Sequence, residues 1–457
     1  MAANFTLDAS QALPGPEWLA ARRAAAAVRL RDVEWPTASE EIWRYSRIGE
    51  LDLDAFVPVP AELVGEPGVE DAPGGGPLAA EAGDRAGLIV VRNGRVVHHS
   101  LDESLAAKGV RVCGLATCDE DELAGLLGTC SDASPDAFTV LHDAFLVGGA
   151  VVKVPAGVVV EQPIVVLHWS EGEGLASFPH TLVVAGEASE VTVFDRYGSG
   201  ASAHEPARAD DAPGHFVDAV VELIVGDGAH VRYVSVQEHG PHTWQIALQR
   251  AHLGRDASLK SSVVALGGHY ARLRSESLLA GEGAESELTA VYFGDGDQML
   301  DFRTLQDHAA PHTRSDLLFK GAVEDVAQSV YSGLIRVQKD AQKTQAFQTN
   351  RNLVLSEGAE AKSVPNLEIE ADDVRCSHAS TVGPIDDDQL YYLATRGVPP
   401  EEAERLIVLG FFDDVFERLP LPSLVAPLRR SVIEKIEHRD AVARSEAPAA
   451  APSKVEA

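Results

Sequence analysis

The chain has 457 residues and carries 38 Lys plus Arg against 70 Asp plus Glu, a formal charge of −32 at pH 7; a surface that acidic repels nucleic-acid phosphates and anionic lipid heads. Hydrophobic residues make up 45% and mean hydropathy is −0.05, too apolar for a disordered chain, while no stretch reaches the roughly 18 to 20 apolar residues that span a bilayer. The start lacks a basic segment leading into an apolar run, and the four cysteines (Cys113, Cys118, Cys130, Cys376) contain no C-x-x-C, so reduced thiols, a cytoplasmic setting and no nucleic-acid or membrane partner are expected.

Residues 16–34 are rich in Ala, Arg and Leu, with Pro16 suited to a first helical turn, and read as a helix closed by Pro36. In SEEIWRYSRIGELDLDAF, Ser39 is placed to cap a short helix bearing Ile42, Trp43 and Tyr45. The stretch ending at Gly83 is dense in Pro, Gly and acid and reads as a linker. Residues 1–85 therefore form an N-terminal helical region and linker.

From residue 86 the texture changes to short β-branched runs such as LIVVRN, GVVVEQPIVVLHW and VRYVSVQ. Between them an acidic residue or Gly followed by Ala recurs: Glu187-Ala188, Gly228-Ala229, Asp256-Ala257, Gly283-Ala284, Asp340-Ala341, Gly358-Ala359. Several gaps are about 27 to 28 residues, the loose period of a solenoid. No helical crossovers are evident between Val151 and Ile369, which argues against a regular α/β fold. A sandwich, a barrel or a β-solenoid remain, and the inexact repeat favours a parallel β-helix over residues 86–385.

After Gly383 helical patterns return. Asp386 to Asp388 can cap a helix with Leu390, Tyr391 and Leu393, stopped by Gly397 and Pro399. EEAERLIVLGFFDDVFERL then places acids in its first turn and offers apolar positions Ala403, Leu406, Ile407 and Phe411. In a last helix, Leu428, Val432, Ile433 and Ile436 recur at helical spacing. Residues 386–440 form a C-terminal helical region, and the Ala/Pro/Ser-rich tail, 441–457, is expected to be disordered. Tyr391, Tyr392, Phe411, Phe412 and Phe416 make this region aromatic; core packing and a docking face for a partner both fit.

The chain has no phosphate-binding G-x-x-x-x-G-K-[ST], no dinucleotide fingerprint, no H-E-x-x-H and no G-x-S-x-G. The local cluster that stands out is Cys376-Ser377-His378. On an extended segment residues i and i+2 face the same way, so a thiolate and an imidazole, both ligands for iron or zinc, would project together. Two donors do not complete a metal site, so such a site would lie at an interface. The plainer alternative is a buried thiol beside a hydrogen-bonded imidazole. Cys113, Cys118 and Cys130 read as packing residues, and His308 and His312, with Pro311 between them, as surface or turn histidines.

The stretch from His308 to Phe411, and above all RCSHASTVG within it, resembles the signature half of the SufB/SufD family of iron–sulfur cluster assembly proteins; EEIWRYSRIGELDLDAF resembles its SufD branch. The resemblance implies a right-handed parallel β-helix flanked by N- and C-terminal helical regions. It implies a non-catalytic scaffold, forming a heterodimer with a SufB-like subunit, docking a SufC-like ATPase and receiving sulfur from a sulfur-transfer protein, with a homodimer plausible in isolation. An iron–sulfur cluster would be held transiently and shared with the partner. His378 then matches the SufD histidine at the SufB interface and Cys376 the neighbouring cysteine, while Tyr391, Leu406, Phe411, Phe412 and Phe416 fall in the ATPase-docking region. Ala379 and Ser380 depart from the family motif, which usually has Gly and Ala there. A SufB-type scaffold and a β-helical polysaccharide lyase or hydrolase are the alternatives.

Overall fold

The computed structural model describes residues 3–60, 84–118, 120–123, 125–131, 136–199 and 214–446. Most of the expected linker, residues 61–83, and the tail beyond residue 446 lie outside them.

Successive strands of the central region alternate between two sheets. One sheet stacks Ala150–Val154, His180–Ala185, His215–Val225, Trp244–Leu253, Tyr270–Leu279, Met299–His308, Gln328–Val337 and Glu360–Ile369, all parallel. The other stacks Gly87–Arg92, Ile164–Ser170, Glu190–Ser199, His230–Glu238, Ser258–Ala265, Glu285–Gly294, Arg314–Val323, Gln345–Val354 and Arg375–Gly383, again parallel. A chain that switches sheet at every strand and returns one position further along coils into a parallel β-solenoid of about eight turns. That is the solenoid favoured by the repeat.

The repeat itself has a backbone cause. Ala188, Gly228, Asp256, Gly283, His312 and Lys343 all take left-handed φ values between 52° and 75° in the turns from the first sheet to the second. Each of their amide N–H groups donates to a carbonyl of the next turn (Asp227, Arg255, Glu282, Pro311, Gln342 and Asp373), at 2.7 to 3.2 Å. The turns are thereby stacked by a hydrogen-bond ladder of their own, satisfying polar groups that a bend would otherwise orphan. Three of the sequence signals, Gly228-Ala229, Asp256-Ala257 and Gly283-Ala284, match this design, with a left-handed residue followed by a fully buried Ala. Gly358-Ala359 belongs to the opposite set of turns, from the second sheet back to the first.

Helical segments occur at both ends. The first expected helix is present over Glu17–Arg29 with Pro16 as its N-cap, and it ends short of the expected residue 34, passing into a single tight turn over Leu30–Asp32. The short helix expected after Ser39 is instead a single turn, Glu41–Trp43, with Tyr45 left-handed at φ 66°. The carbonyls of Ile42 and Arg44, which a helix would use internally, accept from Arg272 and Arg303 of the first sheet at 2.8 Å each. Tertiary anchoring thus outcompetes local helix formation. A helix absent from the sequence reading, Ala137–Phe145, carries a reciprocal cap between Asp136 and Thr139 and is buried along its whole length. His308 is also a correction: it is wholly buried at the end of its strand, bonded to Thr313 and Ser315 at 2.8 and 2.9 Å.

The interior is aliphatic in the first turns, where Ile89, Val152, Val183, Val193, Leu223, Val231 and Leu253 pack together. On the opposite face of the second sheet Val234, Val236, Val264 and Phe293 are covered by Val408, Phe412, Val415, Phe416, Leu428, Val432 and Ile436 of the C-terminal helices. The last helix, Val425–Glu446, continues past the expected boundary at residue 440.

Candidate functional site

The N-terminal end of the solenoid is closed by antiparallel strands, Arg95–Leu101 on one sheet and Arg111–Gly114 on the other. The opposite end is open. Glu360–Ile369 and Arg375–Gly383 are terminal in their sheets, so among the described residues each leaves one edge without a strand partner. The Cys376-Ser377-His378 cluster lies on that last strand, and His378 is exposed.

Register decides which way the cluster faces. Cys376 pairs with Ala346, His378 with Gln348, Ser380 with Asn350 and Val382 with Asn352. Ala346, Gln348, Asn350 and Asn352 are the buried residues of their strand. In-register neighbours of a parallel sheet share a face. Cys376, His378 and Ser380 therefore belong to the interior-facing row of the final turn, where no further turn among the described residues covers them.

Beneath His378 the interior is polar. Asn350 Nδ2 donates to the Tyr292 hydroxyl at 2.9 Å, that hydroxyl donates to Asn352 Oδ1 at 2.6 Å, and Asn352 Nδ2 donates to Asn350 Oδ1 at 2.8 Å. Gln348 Oε1 is buried without a hydrogen-bond partner. Sequence reasoning missed this floor, although alternation in QAFQTNRN, with Gln348, Asn350 and Asn352 two apart, carries its signal.

Cys376 is half-buried against Ile335, Val337, Ala341 and Ala346. Burial pushes its thiol up, and the Ala346 amide N–H counters this in part. At neutral pH it is a thiol, and a metal would have to displace the proton to use it. No group of three or more His, Cys, Asp or Glu among the described residues is arranged to hold a metal ion. The chain brings two donors to the open end and not a complete set.

The C-terminal aromatics divide. Asp386 caps the Asp387–Thr395 helix through its side chain, bonded to the Asp388 amide at 2.8 Å. Tyr391 and Tyr392 on that helix are 72% and 56% exposed, and Leu406 of the Pro400–Phe416 helix is 46% exposed. Phe411 is half-buried beneath Lys320. Phe412 and Phe416, expected as docking contacts, are buried in the chain's own packing against the second sheet. Tyr391 and Tyr392 lie on one helix and Leu406, Phe411, Phe412 and Phe416 on the next, and the sheet underneath decides which side of the second helix is covered.

The family model for the SUF system FeS cluster assembly SufBD core domain matches residues 168–411, just over half of the chain. This chain belongs to the SufBD family. A SufBD family protein of Mycobacterium tuberculosis is 35% identical over 287 residues, 61% of this chain and 68% of that protein. The iron–sulfur cluster assembly protein SufD of Bacillus subtilis is 32% identical over 353 residues, 76% of this chain and 78% of its own. SufD of Escherichia coli is 30% identical over 390 residues, 84% of this chain and 85% of its own. The SufBD match contains the open end, the Cys376-Ser377-His378 strand and the start of the Pro400–Phe416 helix. Ala379, where the SufBD motif usually has Gly, lies in extended strand and is not among the left-handed residues, so its methyl costs no backbone strain there. Membership in an assembly family displaces the polysaccharide-cleaving alternative. Among the described residues no helix is long and apolar enough to cross a membrane.

Proposed function

We propose that this chain is a SufD-type scaffold subunit that builds iron–sulfur clusters jointly with a SufB-like chain in the cytoplasm. The observation that carries the reading is the exposed His378 on the inward row of an open solenoid end, above a polar floor. A second subunit laid against the two unpaired edges would face this imidazole directly, by the edge pairing that exposed strands invite. The nascent cluster is the cargo of that joint surface. His378 supplies a nitrogen donor, Cys376 is a second donor once its proton is displaced, and the partner supplies the remaining sulfur.

Hydrolysis of ATP would belong to a SufC-like subunit, with Tyr391, Leu406 and Phe411 as its docking contacts and Phe412 and Phe416 as the core that supports them. A sulfur-transfer protein would deliver sulfide equivalents to the pair.

Reconstitution with SufB-like and SufC-like partners tests both halves. His378→Ala is expected to abolish cluster formation while the complex still assembles; undiminished cluster yield removes the role given to His378. Tyr391→Ala with Leu406→Ala, at exposed positions where folding is spared, is expected to lose ATPase co-purification. Unchanged co-purification sinks the docking face.

A further inference from the structure

At the closed end of the solenoid, far from His378, the sulfurs of Cys113 and Cys118 lie 2.7 Å apart. The backbone builds this proximity. Cys113 sits in the Arg111–Gly114 edge strand opposite Val151, and a single tight turn over Leu115–Thr117 reverses the chain. That turn is closed by the Thr117 hydroxyl, which donates to the Gly114 carbonyl at 2.7 Å, and by the Cys118 amide, which donates to the Leu115 carbonyl at 3.3 Å. Leu115 and Cys118 are then packed against Leu19, Leu146, Val151 and Leu182, so the two sulfurs are held together from both sides.

The two thiols are unequal. The contact with the Cys118 sulfur holds the Cys113 thiol below its ordinary value, and the same contact, with burial, pushes Cys118 up. Cys113 is half-buried and reachable, whereas Cys118 is buried behind it. A reachable sulfur with a second, buried sulfur beside it is the arrangement of an attacking and a resolving cysteine. The other cysteines differ: Cys130 is buried beside Glu222 and pushed up to about 12, and Cys376 packs against Ile335, Val337, Ala341 and Ala346.

We propose that Cys113 and Cys118 form a reversible thiol–disulfide pair that is oxidised by hydroperoxides and reset by a small dithiol. The Cys113 thiolate attacks one peroxide oxygen, the O–O bond breaks, and hydroxide leaves from a Cys113 sulfenic acid. The Cys118 thiol then attacks the sulfenic sulfur, its proton and the sulfenic hydroxyl depart as water, and the S–S bond forms. Two electrons pass from the sulfurs to the peroxide. In the reset the dithiol becomes its own disulfide and both thiols return. The inference does not depend on the scaffold role or on any partner.

The test uses the full chain with one equivalent of hydrogen peroxide, followed by denaturation, alkylation and non-reducing tryptic mapping. Cys113, Cys118 and Cys130 share one tryptic peptide, residues 112–153. That peptide is expected to lose two hydrogens and to carry one alkyl group, on Cys130, and to carry three after treatment with dithiothreitol. In Cys118→Ser the reaction is expected to stop at a Cys113 sulfenic acid that dimedone traps. Three alkyl groups after peroxide, a bond to Cys130, or Cys376 oxidised before Cys113 would each overturn the assignment.

Discussion

Lys435 Nζ lies 2.6 Å from Asp295 Oδ1, joining the last helix to a solenoid turn, and the lysine side chain is completely buried. Its ammonium also donates to the Leu266 carbonyl at 2.6 Å and to Gln298 Oε1 at 3.0 Å, so all three protons are used. A buried ion stripped of its partner is far costlier than the intact pair is beneficial. Lys435→Met is expected to lower unfolding stability by about 3 kcal/mol and to expose the Val425–Glu446 helix to proteolysis. A urea titration with limited digestion checks both; an unchanged midpoint contradicts the anchoring role.

Asp301 plays the reciprocal part on the other face. It accepts from Arg272 at 2.5 Å, from Arg303 at 2.7 Å and from the Tyr270 hydroxyl at 2.8 Å, and Arg272 lies 3.8 Å over the ring of Trp43. Two guanidinium groups and the N-terminal segment are organised around one carboxylate. Asp301→Asn is expected to cost about 3 to 5 kcal/mol and to release the segment around Trp43. Thermal melting would show the loss, and a red-shifted tryptophan emission would show the release.

Four imidazoles are held neutral by burial: His142 and His239 near 3, His215 and His308 near 4, against an unfolded value of about 6.5. As pH falls below 6.5 the unfolded chain takes up protons there that the folded chain refuses, so stability drops toward acid. Burial raises Asp218 well above its usual value, which has the opposite sign in this range, because the folded carboxyl keeps a proton the unfolded one gives up. Burial also lowers His269, and Glu222, bonded to His180 and to backbone amides, is held near 2; the groups that resist protonation when folded outnumber the one that keeps its proton, so stability falls as pH drops from about 6 to 4.5. Urea midpoints measured across this range check the slope; a flat profile contradicts the buried neutral histidines.

Gly321 sits where a Cβ would approach the Tyr292 ring to 1.9 Å. That ring carries the hydroxyl that ties Asn350 to Asn352 below the open end. Gly321→Ala is expected to cost about 1 to 3 kcal/mol by overpacking and to disturb the floor under His378 while leaving His378 itself intact. Paired measurements of stability and of cluster yield in the reconstituted complex distinguish this from a change at the imidazole.

Much of the architecture was legible because it is written in local chemistry. Left-handed turn residues followed by small buried ones mark the solenoid turns at Gly228, Asp256 and Gly283. Leu428, Val432 and Ile436 at helical spacing mark the buried stripe of the last helix. The Cys376-Ser377-His378 strand was readable as two donors on one face, since alternation is a property of the extended backbone.

What only the tertiary structure decided is which faces are covered. The apolar positions expected on the Pro400–Phe416 helix are Ala403, Leu406, Ile407 and Phe411, but the helix buries Ala403 together with Val408, Phe412, Val415 and Phe416, the last four against the second sheet, and leaves Leu406 in solvent. His308 looks like a turn residue until the next strands enclose it, and Cys113 and Cys118 look like packing until a tight turn brings their sulfurs together. Periodicity along a chain fixes the direction of a side chain relative to its own backbone; whether that direction ends in water or in a neighbour depends on contacts between residues distant in sequence, which a local pattern does not contain.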